Sequence, residues 1–246
     1  MNHEEEAKQV QSILNGNGKP SDFKGEVPRM EYTIPPKKFK LPRIKTECFF
    51  DKFAVSENPL MITNKYATAN GNSRYPLEGV HIDVKKNGKK IAVASDTHVL
   101  LHLPYDGDVE PGTWIIGEDG KPESKVEGAF PRYTSVIPKT ATATIKITDD
   151  MAQTIHAGTR AAKIGDGGVL FRFSSDDIVV YAPADQMASM MTALREAGYT
   201  PRVFDLSTDL GPLVIKTNDA NAFALIMSVD CKETPAHITV VRSQPM

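Results

Sequence analysis

A serine, an aspartate and a histidine occur almost side by side, at Ser95, Asp96 and His98. In many hydrolases these residue types form one catalytic set, in which the aspartate orients the histidine and the histidine activates the serine. Such sets are assembled from distant parts of a chain, because close neighbours rarely bring three side chains into one relay. The spacing therefore favours a polar turn or the wall of a binding pocket over a nucleophilic site.

A hydrolase built on His98 or His156 has little other support in the sequence. The chain contains no glycine elbow around a serine, no metal-ligand spacing and no paired-carboxylate motif. Its two cysteines, Cys48 and Cys231, are too few for a disulfide framework or a thiolate metal site. We therefore expect a protein that is not an enzyme and that has no catalytic residue, metal or cofactor.

Composition limits the possible partners. The 246 residues are 40% hydrophobic and 24% charged, as in an ordinary globular protein, and the formal net charge is -2. Because non-specific nucleic-acid binders are usually basic, any contact with DNA must come from a local basic face. The sparse cysteines, the absence of a membrane-length apolar run and the polar N-terminus predict a cytoplasmic protein with no membrane partner.

A β-hairpin carries the polar cluster. Residues 80–85 alternate apolar and polar side chains, Asn87-Gly88 is a strong signal for a two-residue turn, and residues 90–94 resume an apolar pattern. Small polar residues then end the strand at residues 95–98. Four lysines flank the turn, and two interpretations remain open for them: a solvated hairpin tip or a contact with DNA phosphate.

The sequence divides into a tail and two candidate domains. Residues 1–29 are polar and predict a flexible tail. Residues 30–139 contain a helix near 60–69, the hairpin, a strand at 114–116, a polar turn with the sequence GEDGKPES and an extended segment between two prolines. The basic stretch at 37–45 is either a solvated connector or an arm that touches a nucleic-acid backbone.

Residues 140–246 predict a second domain. Its pattern indicates helices at 150–164 and 185–197 and strands at 142–147, 167–173, 178–181, 202–206, 213–216 and 223–229. The second helix presents an apolar stripe with the i, i+3, i+4, i+7 spacing of a buried face, made of Met187, Met190, Met191 and Leu194. We predict an α+β fold in which helices pack on one face of an antiparallel sheet.

Three stretches resemble a known family. RYPLEGVHIDVKKNGKKIAVASDTHVLLHL, at 74–103, is similar to an R-x-x-L-x-G-V strand followed by an A-T-D-G-H-x-L segment. GAFPRYTSVIPK, at 128–139, is similar to a G-x-F-P-x-Y-x-x-V-x-P segment, and AFALIMSV, at 222–229, looks like a final strand. In this order they resemble the bacterial β sliding clamp, the processivity factor of DNA polymerase, over about residues 57–229.

The resemblance implies a DNA-clamp fold with a shortened first domain, as in a reduced clamp from a phage or mobile element. It also implies a pocket between the domains that holds the tails of polymerases and other clamp-binding proteins. By position, the peptide-binding residues would be Leu77, Ser95, Thr97, His98, Leu100, Pro131, Val136, Leu225 and Met227. Three positions depart from the family pattern: Thr97 replaces a glycine, Val99 an arginine and Ser228 a proline.

The same resemblance implies a protein that encircles double-stranded DNA without reading its sequence. We expect DNA contacts from Lys65, Arg74, Tyr75, Arg160 and Lys163. A clamp loader is a possible further partner. Because this chain offers two domains where the bacterial clamp has three, a closed ring would need three copies, which predicts a homotrimer. The alternative is a clamp-derived adaptor that binds a peptide tail but encircles nothing.

Overall fold

A computed structural model describes residues 58–69, 76–164, 170–174, 179–208, 211–229 and 238–242. The predicted tail and the basic stretch at 37–45 lie outside these ranges, as do Arg74 and Tyr75. In the helices and strands, the described part leaves out the side chains of residues 158, 160–164, 174 and 238–242.

Three helices and one short 3-10 turn occur in the described ranges. They are α1 (Pro59–Ala67), the 3-10 turn (Tyr133–Ser135), α2 (Asp149–Ile164) and α3 (Ala184–Glu196). The side chain of Asn58 caps α1 by accepting a hydrogen bond from the Leu60 N–H at 3.0 Å. Thr148 caps α2 in the same way through the Met151 N–H at 3.3 Å. The predicted helices are confirmed to within two residues at each end.

The strands of the described ranges are numbered in chain order. They are β1 (Val80–Val84), β2 (Lys90–Ser95), β3 (Val99–Tyr105), β4 (Gly112–Ile116), β5 (Pro122–Val126), β6 (Ala143–Lys146), β7 (Leu170–Ser174), β8 (Val179–Pro183), β9 (Pro201–Leu206), β10 (Leu213–Thr217), β11 (Phe223–Ile226) and β12 (Ile238–Arg242).

Nine strands form one antiparallel sheet in the order β5-β4-β1-β2-β3-β11-β10-β9-β6. Three others form a smaller sheet in the order β12-β7-β8, in which β12 runs parallel to β7. The predicted hairpin joins β1 and β2, but its loop differs from the predicted two-residue Asn87-Gly88 turn. The Gly88 N–H donates to the Lys85 carbonyl at 2.8 Å, which centres the turn on Lys86 and Asn87, and Gly88 follows with a φ of +80°. The large antiparallel sheet with few helices confirms the predicted α+β class.

Two strands depart from the sequence prediction. The composition of the GEDGKPES stretch predicts a turn, but β5 already begins at Pro122. The pattern missed it because an edge strand with four exposed residues shows no apolar alternation. The other, β12, follows the last predicted strand and was not expected. It extends the small sheet through parallel pairing, which local sequence does not reveal.

The helices cover one face of the large sheet. The predicted apolar stripe of α3 is confirmed as core, with each of its four members at most 1% exposed. Phe173 and Phe204 meet edge to face in the same core, with ring centroids 5.2 Å apart. Leu101 of β3 and Ile62 of α1 belong to this cluster as well. The core therefore contains residues from both sides of residue 139.

The expected domain division at residue 139 remains a prediction about separate folding units. The large sheet contains strands from both sides of residue 139. In it β3 pairs with β11, from Val99↔Ile226 to His102↔Phe223. A division there would have to break four residue pairs and open a shared core. The contacts favour one cooperative unit over the described residues.

Candidate peptide-binding site

The second face of the large sheet carries its own apolar cluster. Its buried members come from β2, β3, β10, β11 and the 3-10 turn, and they are Ile91, Val93, Leu100, Tyr133, Val214 and Leu225. Four half-buried side chains pack against them: Phe130, Ile137, Phe223 and Met227. Residues 128–139, which we call the connector, therefore lie on the sheet face that the helices do not cover.

Two aromatic residues fasten the connector to β1. The ring of Phe130 stacks on His81 with centroids 4.7 Å apart and an interplanar angle of 7°. The hydroxyl of Tyr133 donates a hydrogen bond to the Asp83 carboxylate. Burial, helped by this carboxylate, raises the pKa of Tyr133, so the hydroxyl keeps its proton and remains a donor. The connector is thus held by specific contacts on one side of the cluster.

The polar cluster found in the sequence forms a turn between β2 and β3. Asp96 accepts hydrogen bonds from the N–H groups of His98 and Val99 at 2.8 and 2.7 Å. The Ser95 hydroxyl donates to the Val99 carbonyl at 2.7 Å. These bonds use the serine and aspartate oxygens to shape the backbone, and the His98 side chain is exposed. Ser95, Asp96 and His98 therefore lie in a polar turn, and a role of this turn as a pocket wall stays a prediction.

Thr97 is the strained position of this turn. Its φ is +82°, in the left-handed region, and it is the non-glycine residue with positive φ among those described. A β-branched side chain is disfavoured there, because its Cβ meets the following backbone. The bacterial clamp motif has glycine at the matching position. At Thr97 this chain therefore adopts a backbone conformation that glycine accommodates more easily than threonine does.

The nine predicted peptide-binding residues differ in accessibility. Leu77, Leu100 and Leu225 are at most 3% exposed and can form only the floor of a site. Ser95, Pro131 and Met227 are half-buried, whereas Thr97, His98 and Val136 are exposed. The structure brings Leu100, Leu225 and Met227 into one cluster, and the Met227 N–H donates to the His98 carbonyl at 2.7 Å. Leu77 is buried but lies outside that cluster.

Sequence reasoning missed other members of this surface. Phe130 and Tyr133 anchor the connector, and both lie within the GAFPRYTSVIPK stretch, where their aromatic type was the available signal. His102 gave no such signal. It is 2% exposed, and its Nδ1 lies 2.7 Å from the Asn221 carbonyl oxygen. Its ring stacks on that of Phe223, with the ring centroids 4.3 Å apart. Burial lowers the pKa of His102 from 6.5 to about 4, so the ring is neutral at pH 7.

The predicted DNA-binding residues are described only in part. Lys65 lies on α1 with its side chain 60% exposed, and its ammonium contacts the Glu196 carboxylate at 3.1 Å. The same ammonium lies 4.5 Å from the centre of the Tyr66 ring. Arg160 and Lys163 belong to α2, but their side chains are outside the described part, and Arg74 and Tyr75 are outside it altogether. A DNA contact therefore stays a prediction for all five residues.

Comparison with known proteins relates this fold to one class. The structure is similar to the DnaN sliding clamp of Bartonella birtlesii bound to griselimycin, at 16% identity and a TM-score of 0.54, covering 71% of this chain and 63% of that one. It also matches the DNA polymerase III beta subunit of Thermotoga maritima, at 14% identity and a TM-score of 0.55, covering 71% of this chain and 63% of that one. The C. crescentus beta sliding clamp is 18% identical, with a TM-score of 0.53, and the match covers 80% of this chain and 70% of that one.

These matches show that the chain has the fold of the bacterial β sliding clamps, which confirms the resemblance at the level of fold. The chain spans less than two thirds of the length of the first clamps that it matches. No protein-family model matches the sequence, and no curated protein matches it.

Two further findings concern the described residues alone. They contain no group of three or more histidine, cysteine, aspartate or glutamate side chains placed to hold a metal ion. None of their helices is both long enough and apolar enough to cross a membrane.

Replacing Thr97 with glycine should stabilise the protein. Relief of the left-handed strain, about 1–2 kcal/mol, outweighs the greater entropy of glycine in the unfolded chain, about 0.5–1 kcal/mol. We expect Thr97→Gly to raise the free energy of unfolding by about 1 kcal/mol in urea titration. Thr97→Ala keeps the Cβ and should not show this gain. A loss of stability in Thr97→Gly would contradict the strain argument.

The buried His102 should make stability depend on pH. Its pKa is lowered on folding, so the stabilising contribution is present above pH 6.5 and is lost as the pH falls towards 4. Between pH 7 and pH 5 we expect the free energy of unfolding to fall by about 2 kcal/mol from this group. His102→Gln should remove that part of the pH dependence. An NMR titration that finds the His102 ring charging near pH 6.5 would contradict this expectation.

Proposed function

We propose that this protein is a sliding-clamp type processivity factor that binds the apolar tails of DNA polymerases and other clamp-binding proteins. The observation that carries the proposal is the cluster on the helix-free face of the sheet. There Leu100, Leu225 and Met227 come together with the connector, although they lie on separate segments of the chain. The clamp resemblance assigns all three residues to the peptide pocket.

The accessible part of this surface suits an extended peptide. Val136 is 43% exposed, and Met227 and Pro131 are half-buried. Leu100 and Leu225, against which Met227 packs, supply a buried apolar floor. Binding sites of this kind combine apolar contacts with a few polar groups that orient the ligand. Thr97 and His98 are exposed on the adjoining turn, where they can hydrogen-bond the backbone of an extended peptide.

The sheet edges support a ring formed by several copies. In the nine-stranded sheet the terminal strands are β5 and β6, and a β5–β6 pairing between neighbouring chains would continue the sheet. A head-to-tail contact that closes after three copies gives the homotrimer predicted from the domain count. Such a ring would surround double-stranded DNA in the cytoplasm, and a clamp loader would be needed to open it.

In this proposal Lys65, Arg74, Tyr75, Arg160 and Lys163 contact DNA. Lysines and arginines that meet phosphates make salt-dependent contacts without reading the base sequence, which permits sliding. The Lys65 ammonium already has Glu196 as a partner, so its attraction to phosphate is reduced. The contribution of the basic side chains of α2 therefore decides how strongly such a ring would hold DNA.

One observation favours the second candidate, a clamp-derived adaptor that binds a peptide tail but encircles nothing. Together the three helices carry four basic residues, at 65, 160, 163 and 195, and four acidic residues, at 149, 150, 185 and 196. Their net charge is zero, so this layer supplies no overall attraction to a polyanion. The charged residues of β5, Glu123 and Lys125, also oppose unintended edge pairing.

Met227→Ala should weaken peptide binding by about 1–3 kcal/mol, the usual scale for an anchor contact. The measurement is fluorescence anisotropy with a labelled peptide from the C-terminal tail of a bacterial replicative polymerase. Met61→Ala is the matched control, because Met61 is also an accessible methionine, at 39% exposure, but lies on α1. If Met227→Ala binds as tightly as the parent chain, the site has been assigned to the wrong face.

Light scattering at micromolar concentration separates the two candidate functions. A closed clamp should have a mass about three times the 27.0 kDa of one chain. In a separate binding assay it should be retained on nicked circular DNA and lost from linear DNA. The adaptor predicts a mass near 27.0 kDa that DNA does not change. The second outcome would exclude the ring while leaving the peptide-binding prediction open to its own test.

A further inference from the structure

A cavity of about 280 Å³ lies where the connector ends, over β9 and β10. Three of its wall residues, Ile137, Val214 and Phe223, also belong to the apolar cluster on the helix-free face of the large sheet. The cavity is therefore continuous with the surface that carries the proposed peptide site. It is nevertheless a separate place on that surface, because none of the nine predicted peptide-binding residues lines it.

Strand β11 sets the distance between the cavity and Met227. Phe223 begins the strand at the cavity wall, Leu225 lies within it, and Met227 follows its last residue. All three side chains pack in the same apolar cluster, as expected for alternate residues of one strand. The row from Phe223 to Met227 is about 13 Å long, a length that about four residues of an extended peptide cover.

A buried carboxylate lines the cavity. Asp205 is 7% exposed, and it lies opposite Val214 on the neighbouring strand. Its Oδ1 accepts a hydrogen bond from the Thr144 hydroxyl at 2.7 Å, and its Oδ2 forms an ion pair with the Lys216 ammonium. Because a carboxylate offers about four lone-pair sites, Asp205 can still accept a hydrogen bond from a donor that enters the cavity.

The charges around the cavity favour a neutral occupant. Two lysines, Lys139 and Lys216, and two aspartates, Asp205 and Asp219, line it, so their formal charges cancel. A charged side chain therefore gains no overall electrostatic attraction there. Apolar walls with one buried acceptor suit an aromatic ring that carries a hydrogen-bond donor. A cavity of about 150 Å³ already holds a benzene ring, so this larger one has room for a phenol.

We propose that the cavity receives a tyrosine side chain of the partner's tail. The ring packs against Ile137 and Phe223, and the hydroxyl donates a hydrogen bond to the Asp205 carboxylate. Along the tail, this tyrosine lies about four residues from the apolar side chain that contacts Met227. The inference rests on the proposed function and adds a chemical feature of the partner: an extended segment with an apolar anchor and a tyrosine at that spacing.

Fluorescence anisotropy with extended peptides tests the proposal on the full chain. The parent probe is the labelled polymerase-tail peptide used for Met227→Ala. Two derivatives carry a tyrosine beyond a Gly-Ser-Gly spacer, one at the amino end and one at the carboxyl end, and matched derivatives carry phenylalanine or serine instead. We expect the tyrosine at one of the two ends to lower the dissociation constant about fivefold or more, the phenylalanine to lower it less, and the serine to leave it unchanged.

Filling the cavity should abolish this gain, measured in each variant as the ratio of the dissociation constants of the parent and tyrosine peptides. Ala220 and Thr140 both line the cavity and are exposed, so Ala220→Phe and Thr140→Phe each add a ring at its mouth without changing the core. Ala157→Phe is the matched control, because Ala157 is also exposed but lies on α2, and it should keep the gain. Met227→Ala should weaken both peptides and leave the ratio between them unchanged.

The results that would overturn the inference are distinct from those that would overturn the proposed function. If neither tyrosine peptide gains affinity while Met227→Ala still weakens the parent peptide, the peptide site stands and the cavity is not part of it. A gain that survives both Ala220→Phe and Thr140→Phe would place the tyrosine elsewhere. Equal gains from tyrosine and phenylalanine would exclude Asp205 as the acceptor. Failure of the unchanged chain to bind the parent peptide would contradict the proposed function, and this inference with it.

Discussion

The pairing of β3 with β11 is the contact on which the rest of this structure depends. It joins a strand from the middle of the chain to one near its end, and so merges two smaller sheets into one of nine strands. Because side chains alternate across a sheet, this register also decides which residues face which layer. Val99 and Leu101 point to the helices, whereas Leu100, paired with Leu225, points to the connector.

As a result, the two faces of the large sheet pack against different parts of the chain. One face packs against the helices and the small sheet and supplies most of the core. In the described part of the chain, the connector covers the other face, held by the stacking of Phe130 on His81 and the hydrogen bond from Tyr133 to Asp83. Met227 remains half-buried where it packs against the apolar cluster of this face, and Val136 of the connector is exposed. That is where the proposed peptide site lies.

Charge is where this chain differs most from what a DNA-encircling protein requires. A ring that slides on DNA needs a basic inner surface, yet the helices carry as many acidic as basic residues. The one basic side chain of α1, Lys65, is paired with Glu196. The strongest concentration of positive charge in the sequence is instead the stretch from Lys37 to Lys45. This stretch is separate in sequence from the residues proposed to bind peptide.

The sequence alone determined the local features of this protein: the hairpin of β1 and β2, the three helices, the apolar stripe of α3 and the motifs that resemble a sliding clamp. Each depends on periodicity or turn chemistry within a few residues. Only the tertiary structure decided that β3 pairs with β11 and that the connector crosses the second face. It also decided that Thr97 is left-handed and that Leu77 lies outside the cluster of Met227. These features depend on pairing and packing between distant segments, which local patterns do not encode.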